Sequence, residues 1–113
     1  MSILSELNTL FGGLGLPVET GVFKEEAPEE YVVLTPLADT FPEHADDRPQ
    51  YEIQEVRISL FSKLNYQRRK KQIVRVLVDA NITITERLYV EHEDDTSYHH
   101  YAIDVAKLYE MEE

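Results

Sequence analysis

The chain contains no cysteine, which excludes a disulfide framework, thiolate zinc sites and cysteine nucleophiles, and with them the usual sign of a secreted miniprotein. A cytosolic setting is expected. Between Met1 and Leu16 there is no lysine or arginine, and polar residues and glycines interrupt the apolar ones. That pattern does not read as a signal peptide. Nor does any apolar run approach the roughly 20 residues needed to cross a bilayer. The G-x-S-x-G elbow, the phosphate-cradling glycine loop and the dinucleotide fingerprint are all missing. Gly12, Gly13 and Gly15 form a G-G-x-G run, but it follows a predicted helix instead of joining a strand to one, so it reads as a helix stop. Carboxylates are too many for any pair to stand out for acid/base work. These absences lead to the expectation of a protein that is not an enzyme and takes no cofactor.

What is present suits one globular domain spanning residues 1–113. A length of 113 residues, 42% hydrophobic and 29% charged, supports one core and leaves no room for a second. The formal net charge is −11, from 22 acidic and 11 basic residues. Arg68, Arg69, Lys70, Lys71 and Arg75 fall close together, so the chain is an acidic body with one basic patch. An acidic body repels nucleic acid at long range, because phosphate binding depends on counterion release to clustered lysine and arginine. Contacts with protein partners suit it better.

Ser2 is a plausible N-cap for a helix on which Ile3, Leu4, Leu7, Leu10 and Phe11 recur at spacings of three and four, with Gly12 and Gly13 ending it. Val18 to Phe23 reads as a short extended segment, and Tyr31 to Thr35 as a strand stopped by Pro36. Residues 36–50 carry Pro36, Pro42, Pro49 and several acids without a sustained period. They read as a long loop, mobile in the free subunit and anchored by Phe41. Val56, Ile58 and Leu60 alternate within a strand from Tyr51 to Lys63, while Ile53 and Phe61 imply either a bulge or a second buried face. Asn65 suits the N-cap, and Asn81 the C-cap, of a second helix inset with Tyr66, Ile73, Val74, Leu77 and Ala80. Ile82 to Val90 and Tyr98 to Tyr109 then form an antiparallel hairpin about the polar turn His92 to Thr96. The fold class is α+β: an antiparallel sheet of four to five strands, two helices on one face, and a long C-terminal hairpin. The predicted core is Leu34, Val56, Ile58, Leu60, Leu77, Ile84, Leu88, Ile103 and Val105.

Two clusters are rich in potential metal ligands: His44 with Asp46 and Asp47, and His92 with Glu93, Asp94, Asp95, His99 and His100. Neither matches a compact metal motif, and on a strand His99 and His100 point to opposite faces. A solvated turn is therefore preferred to a metal site. Four consecutive basic residues on a helix point all round it, so Arg68, Arg69, Lys70 and Lys71 make no single groove-reading face. They also sit poorly with the dipole at a helix start. Acids of a neighbouring subunit are the favoured compensation, ahead of a plain solvated surface or of DNA.

The string D-x-x-P-x-x-E-I-Q-E-V-R-I-S-L-F-S-K-L-N-Y, from Asp46 to Tyr66, and the ending S-Y-H-H-Y-A-I-D-V-A-K-L-Y-E-M-E-E, from Ser97 to Glu113, resemble small proteins of the phage and prophage head-tail gene region in Gram-positive bacteria. The resemblance spans nearly the whole chain, including L-P-V-E-T-G-V-F and Y-V-V-L-T-P. Its motifs have no catalytic meaning. It implies a tail-completion, or tail-terminator, protein: a sheet flanked by helices, forming a ring, usually a hexamer, that caps the tail tube and meets the head connector in the virion. Host cytoplasm is the setting of assembly, and no membrane or specific nucleic-acid binding is implied. The candidate subunit-interface residues are Arg68, Arg69, Lys70, Lys71, Phe41, Asp46, Asp47, Glu93, Asp94 and Asp95. The alternatives are another small neck protein and a monomeric acidic binding module.

Overall fold

A computed structural model describes residues 2–20, 28–41 and 51–110. Its elements are α1 (Ile3–Gly13), β1 (Val18–Thr20), β2 (Glu30–Thr40), β3 (Tyr51–Ser62), α2 (Tyr66–Asp79), β4 (Thr83–His92) and β5 (His99–Glu110). The strands form one five-stranded sheet in the order β1-β2-β3-β5-β4. This is the expected α+β class, closed by the long C-terminal hairpin.

The helices begin and end by specific hydrogen bonds. Ser2 caps α1 through a reciprocal pair with Ser5, which satisfies two donors that helix geometry would otherwise orphan. At the other end the Leu16 N–H donates to the Phe11 carbonyl and the Gly15 N–H to the Gly12 carbonyl, with Gly15 at φ +69°. The glycine that terminates α1 is thus Gly15, not Gly12 or Gly13, which lie within the last turn; only Gly15 occupies the left-handed region that a missing Cβ makes inexpensive. The end of α2 repeats the pattern. The Ile82 N–H donates to the Leu77 carbonyl and the Asn81 N–H to that of Val78. Asn81, at φ +59°, stands one residue beyond the Ala80 cap. In both cases the apolar residue after the left-handed one, Leu16 or Ile82, is buried and closes the helix against the core.

Strand registers sort the side chains into two faces. Leu34, Ile58 and Ile103 lie in one row across β2, β3 and β5, flanked by Val32, Leu60 and Tyr101 on one side and by Val56 and Val105 on the other. This face packs against Ile3, Leu7 and Phe11 of α1 and Ile73 and Leu77 of α2, forming one cluster of buried residues. Both helices therefore cover the same face. α1 is also tied down at its polar edge, where Glu6 accepts hydrogen bonds from Lys107 Nζ and the Tyr109 hydroxyl, each at 2.7 Å. Burial pushes the Glu6 carboxyl up, but these two bonds and the Lys107 charge outweigh it and hold the group below its ordinary value.

The opposite face explains Ile53 and Phe61, which need no bulge in β3. Tyr31, Phe61 and His100 stack across three strands, with ring centroids 5.0 Å and 4.3 Å apart. Arg57 grips Asp104 with two hydrogen bonds of 2.7 and 3.0 Å. His100 is held neutral chiefly by burial, against the pull of Glu93 and Glu91, and its buried Nε2 has no hydrogen-bond partner among the described residues. A histidine whose folded pKa is depressed leaves stability intact above the unfolded value of 6.5. As pH falls below that value the unfolded chain takes the proton first, so stability is lost. Urea titrations between about pH 7.5 and 5 are expected to show this loss, and His100→Phe, which keeps the stack, is expected to reduce the slope. An unchanged slope would assign the acid sensitivity elsewhere.

Five expectations are corrected. Pro36 does not stop its strand: β2 runs on to Thr40. Proline is tolerated at open edges and bulges, and here β1 covers only Val32 to Leu34 while the register shifts between Pro36 and Ala38. The loop predicted over 36–50 is therefore strand as far as Thr40, and residues 42–50 lie outside the described residues. Phe41 is no anchor, being 45% exposed. The sheet is not wholly antiparallel, since β1 pairs with β2 in parallel. Leu88 leaves the core because β4 shifts register between Ile84 and Glu86. That shift moves Leu88 to the helix-free face opposite Ala102, and Ile84 stays at the core's rim.

Candidate functional site

The second helix separates the basic run into residues with different tasks. Asn65 caps α2 by accepting from the Arg68 N–H, which fixes the rotation of the first turn over β5. Arg69 points inward. It donates to Glu30 from both Nε and Nη2, at 3.3 and 3.1 Å, and from Nη1 to Gln72 and to the Leu14 carbonyl that caps α1. The compensation expected from a neighbouring subunit is, for Arg69, supplied inside the chain: Glu30 neutralises it, and the end of α1 gains a cation where its dipole favours one. Arg69 is a clasp joining β2 to both helices. Lys70 rests over the rings of Tyr101 and Tyr66, 4.9 and 6.0 Å from their centroids, an attraction between an ammonium and the electron-rich ring face.

Arg68, Lys71 and Arg75 project to solvent. Among the described residues, no ion pair engages these three, Lys70 or Arg87. Lys70, Lys71 and Arg75 face Arg87 of β4 across a groove of about 430 Å³, floored by Val74 and Val78. Asp79 is the one acid lining it. A larger hollow beside Arg68 is lined by residues of α2 and its cap alone, so it is space between side chains of one helix. The groove is different, because two elements build it and Val78, 59% exposed, gives it an apolar floor. Arg87 escaped the sequence reading. It is isolated in the chain, and only the bulge in β4 brings it onto the α2 side, opposite Ile103.

The acidic candidates lie at the tip of the β4–β5 hairpin. The Glu93 N–H donates to the Tyr98 carbonyl at 2.8 Å and the Ser97 N–H to the Glu93 carbonyl at 2.7 Å, while the Thr96 hydroxyl donates to the Glu93 carboxylate. With Ser97 at φ +65°, the tip is a closed turn that holds Asp94 and Asp95 outward. The Asp94 side chain is fully exposed and lies 3.6 Å from His92 Nδ1. His99 joins His92, Tyr89 and Tyr66 on the helix side, and His100 stacks on Phe61 behind the sheet. The two histidines therefore do face opposite ways. Among the described residues no three ligand-type side chains group for a metal ion, and His44, Asp46 and Asp47 lie outside them. No described helix is long and apolar enough to cross a membrane.

The arrangement offers charge recognition at two separate places, a basic groove with an apolar floor and a preformed acidic tip. No protein-family model matches the chain, and no curated protein matches it.

Proposed function

We propose that this chain is a structural subunit of a phage virion, one that assembles into a ring at the head-proximal end of a long tail and joins the tail tube to the head connector. The observation that carries the reading is the placement of charge. A chain of net charge −11 keeps along α2 and β4 a strip of four cations beside one acid, Asp79, with none of the four in an ion pair among the described residues, and it carries an acidic tip elsewhere. Two complementary, non-coincident patches make a head-to-tail contact, which closes into a ring when the rotation between subunits allows it. The resemblance of the Asp46 to Tyr66 and Ser97 to Glu113 strings to tail-completion proteins points the same way. An acidic ring also suits a channel for DNA, because negative walls do not hold phosphates. In this reading the protein performs no catalysis and needs no cofactor.

Native mass spectrometry of the purified chain over a range of concentrations, with electron microscopy of gold-labelled particles, tests the proposal. Closed rings, or label at the junction of head and tail, are the expected result. A chain that stays monomeric and labels neither tails nor necks would sink the ring and favour an acidic binding module. Label on the neck at a different level would assign another connector position.

A further inference from the structure

We infer that the α2–β4 groove receives the hairpin tip of a second copy of this chain, with Asp94 and Asp95 of one subunit set among Lys71, Arg75 and Arg87 of the next; this pairing rests on the ring-forming reading. Four cations line the groove against one acid, so an incoming carboxylate meets a net positive wall. The walls belong to α2, held by its Asn65 cap and its packing on the core, and to β4, paired with β5 from Thr83 to His92 apart from two register shifts. Neither wall must be ordered on binding, which removes part of the usual entropic cost.

The occupant is defined by charge and by shape. A tight turn is narrow enough for a shallow groove, and this one is closed by its own hydrogen bonds before it docks. Glu93 is occupied by Thr96, leaving Asp94 and Asp95 as the exposed acids. Two bodies that each carry −11 repel at long range, so any contact between copies must bring unlike charges together locally. The groove is the place among the described residues where unpaired cations gather on two elements. Duplex DNA, the competing polyanion, would have to approach through the field of 22 acidic residues to reach a strip shorter than α2. The tip reaches it from a molecule that must be accommodated anyway.

The absence of cysteine makes the pairing directly testable. Arg75→Cys and Asp94→Cys change exposed positions and leave the fold-holding contacts in place. Mixed together and treated with a short bismaleimide, the two variants are expected to yield a crosslinked pair, while each alone yields none beyond background. Placed in one chain, they are expected to give a ladder ending at the size of the closed ring. Charge reversal supplies the second measurement. Lys71→Glu with Arg75→Glu, or Asp94→Lys with Asp95→Lys, is expected to raise the dissociation constant of self-association at least about tenfold. All four changes in one chain are expected to recover most of the loss. If oligomers form but the mixed pair does not crosslink, the ring stands and the groove is not its contact. A chain that stays monomeric without crosslinking defeats both readings. Retention of duplex DNA at physiological salt, lost on Lys71→Glu with Arg75→Glu, would assign the groove to nucleic acid instead.

Discussion

Replacing Ile58 by Ala is expected to lower the unfolding free energy by about 2 to 5 kcal/mol, with a matching fall in the denaturant midpoint. Ile58 is fully buried in the central strand, between Leu34 of β2 and Ile103 of β5, and both helices press on that row. Truncation removes its transfer free energy and leaves a cavity that neighbours on two strands cannot close by small movements. Leu88→Ala is the control. It removes a similar number of carbon atoms from a position 37% exposed on the helix-free face, and is expected to cost less than about 1 kcal/mol. Equal losses at the two positions would mean that the faces of the sheet are wrongly assigned.

That contrast also marks where the sequence could be read and where it could not. The alternation of Val56, Ile58 and Leu60, the helical spacing of Ile3, Leu7 and Phe11, and the caps Ser2 and Asn65 are local patterns, and local patterns suffice to find them. Leu88 continues the alternation begun at Ile82 and Ile84, yet a register shift in β4 reverses the parity between them, and periodicity cannot register an inserted residue. The parallel pairing of β1 escaped because an alternating pattern carries no strand direction. Pro36 reads as a stop unless its edge of the strand is known to be open, a fact about β1 and not about Pro36. The basic run was visible as composition, but its division into Arg69, which faces Glu30, and Arg68 and Lys71, which face water, exists only once α2 lies on the sheet.

The division of the basic run yields the second large expectation. Arg69→Glu is expected to destabilise the isolated chain by about 1 to 3 kcal/mol, since it sets two carboxylates against each other and strands the partly buried Glu30. Reversal of Arg68, Lys71 and Arg75 to Glu is expected to leave the unfolding free energy within about 0.5 kcal/mol of its starting value, because these groups touch no described ionic partner. Under the proposed ring function, the same triple reversal is expected to abolish assembly and tail joining in a complementation assay. Reversing all four residues of the run, Arg68 to Lys71, would mix the two effects, since an unfolded subunit also fails to assemble. Two outcomes would undo the division: a triple-reversed chain that unfolds early, or one that still completes tails.

The fourth strand carries a consequence for the subunit before it meets any partner. β4 is the long outer edge of the sheet, and Leu88, Tyr89 and Val90 are all exposed along it, a combination that ordinarily invites strand-to-strand aggregation. Its ladder with β5 slips twice, between Ile84 and Glu86 and between Tyr89 and Glu91. Each slip bends the strand and breaks the even spacing of its outward N–H and C=O groups, so no stretch longer than a few residues can template an incoming strand. Arg87, between the slips, adds a charge that a stacked copy would have to bury beside its own. The β4 edge is thereby kept from templating fibrous growth, so in the proposed ring any contact made at this edge would fall to side chains instead of to a shared ladder.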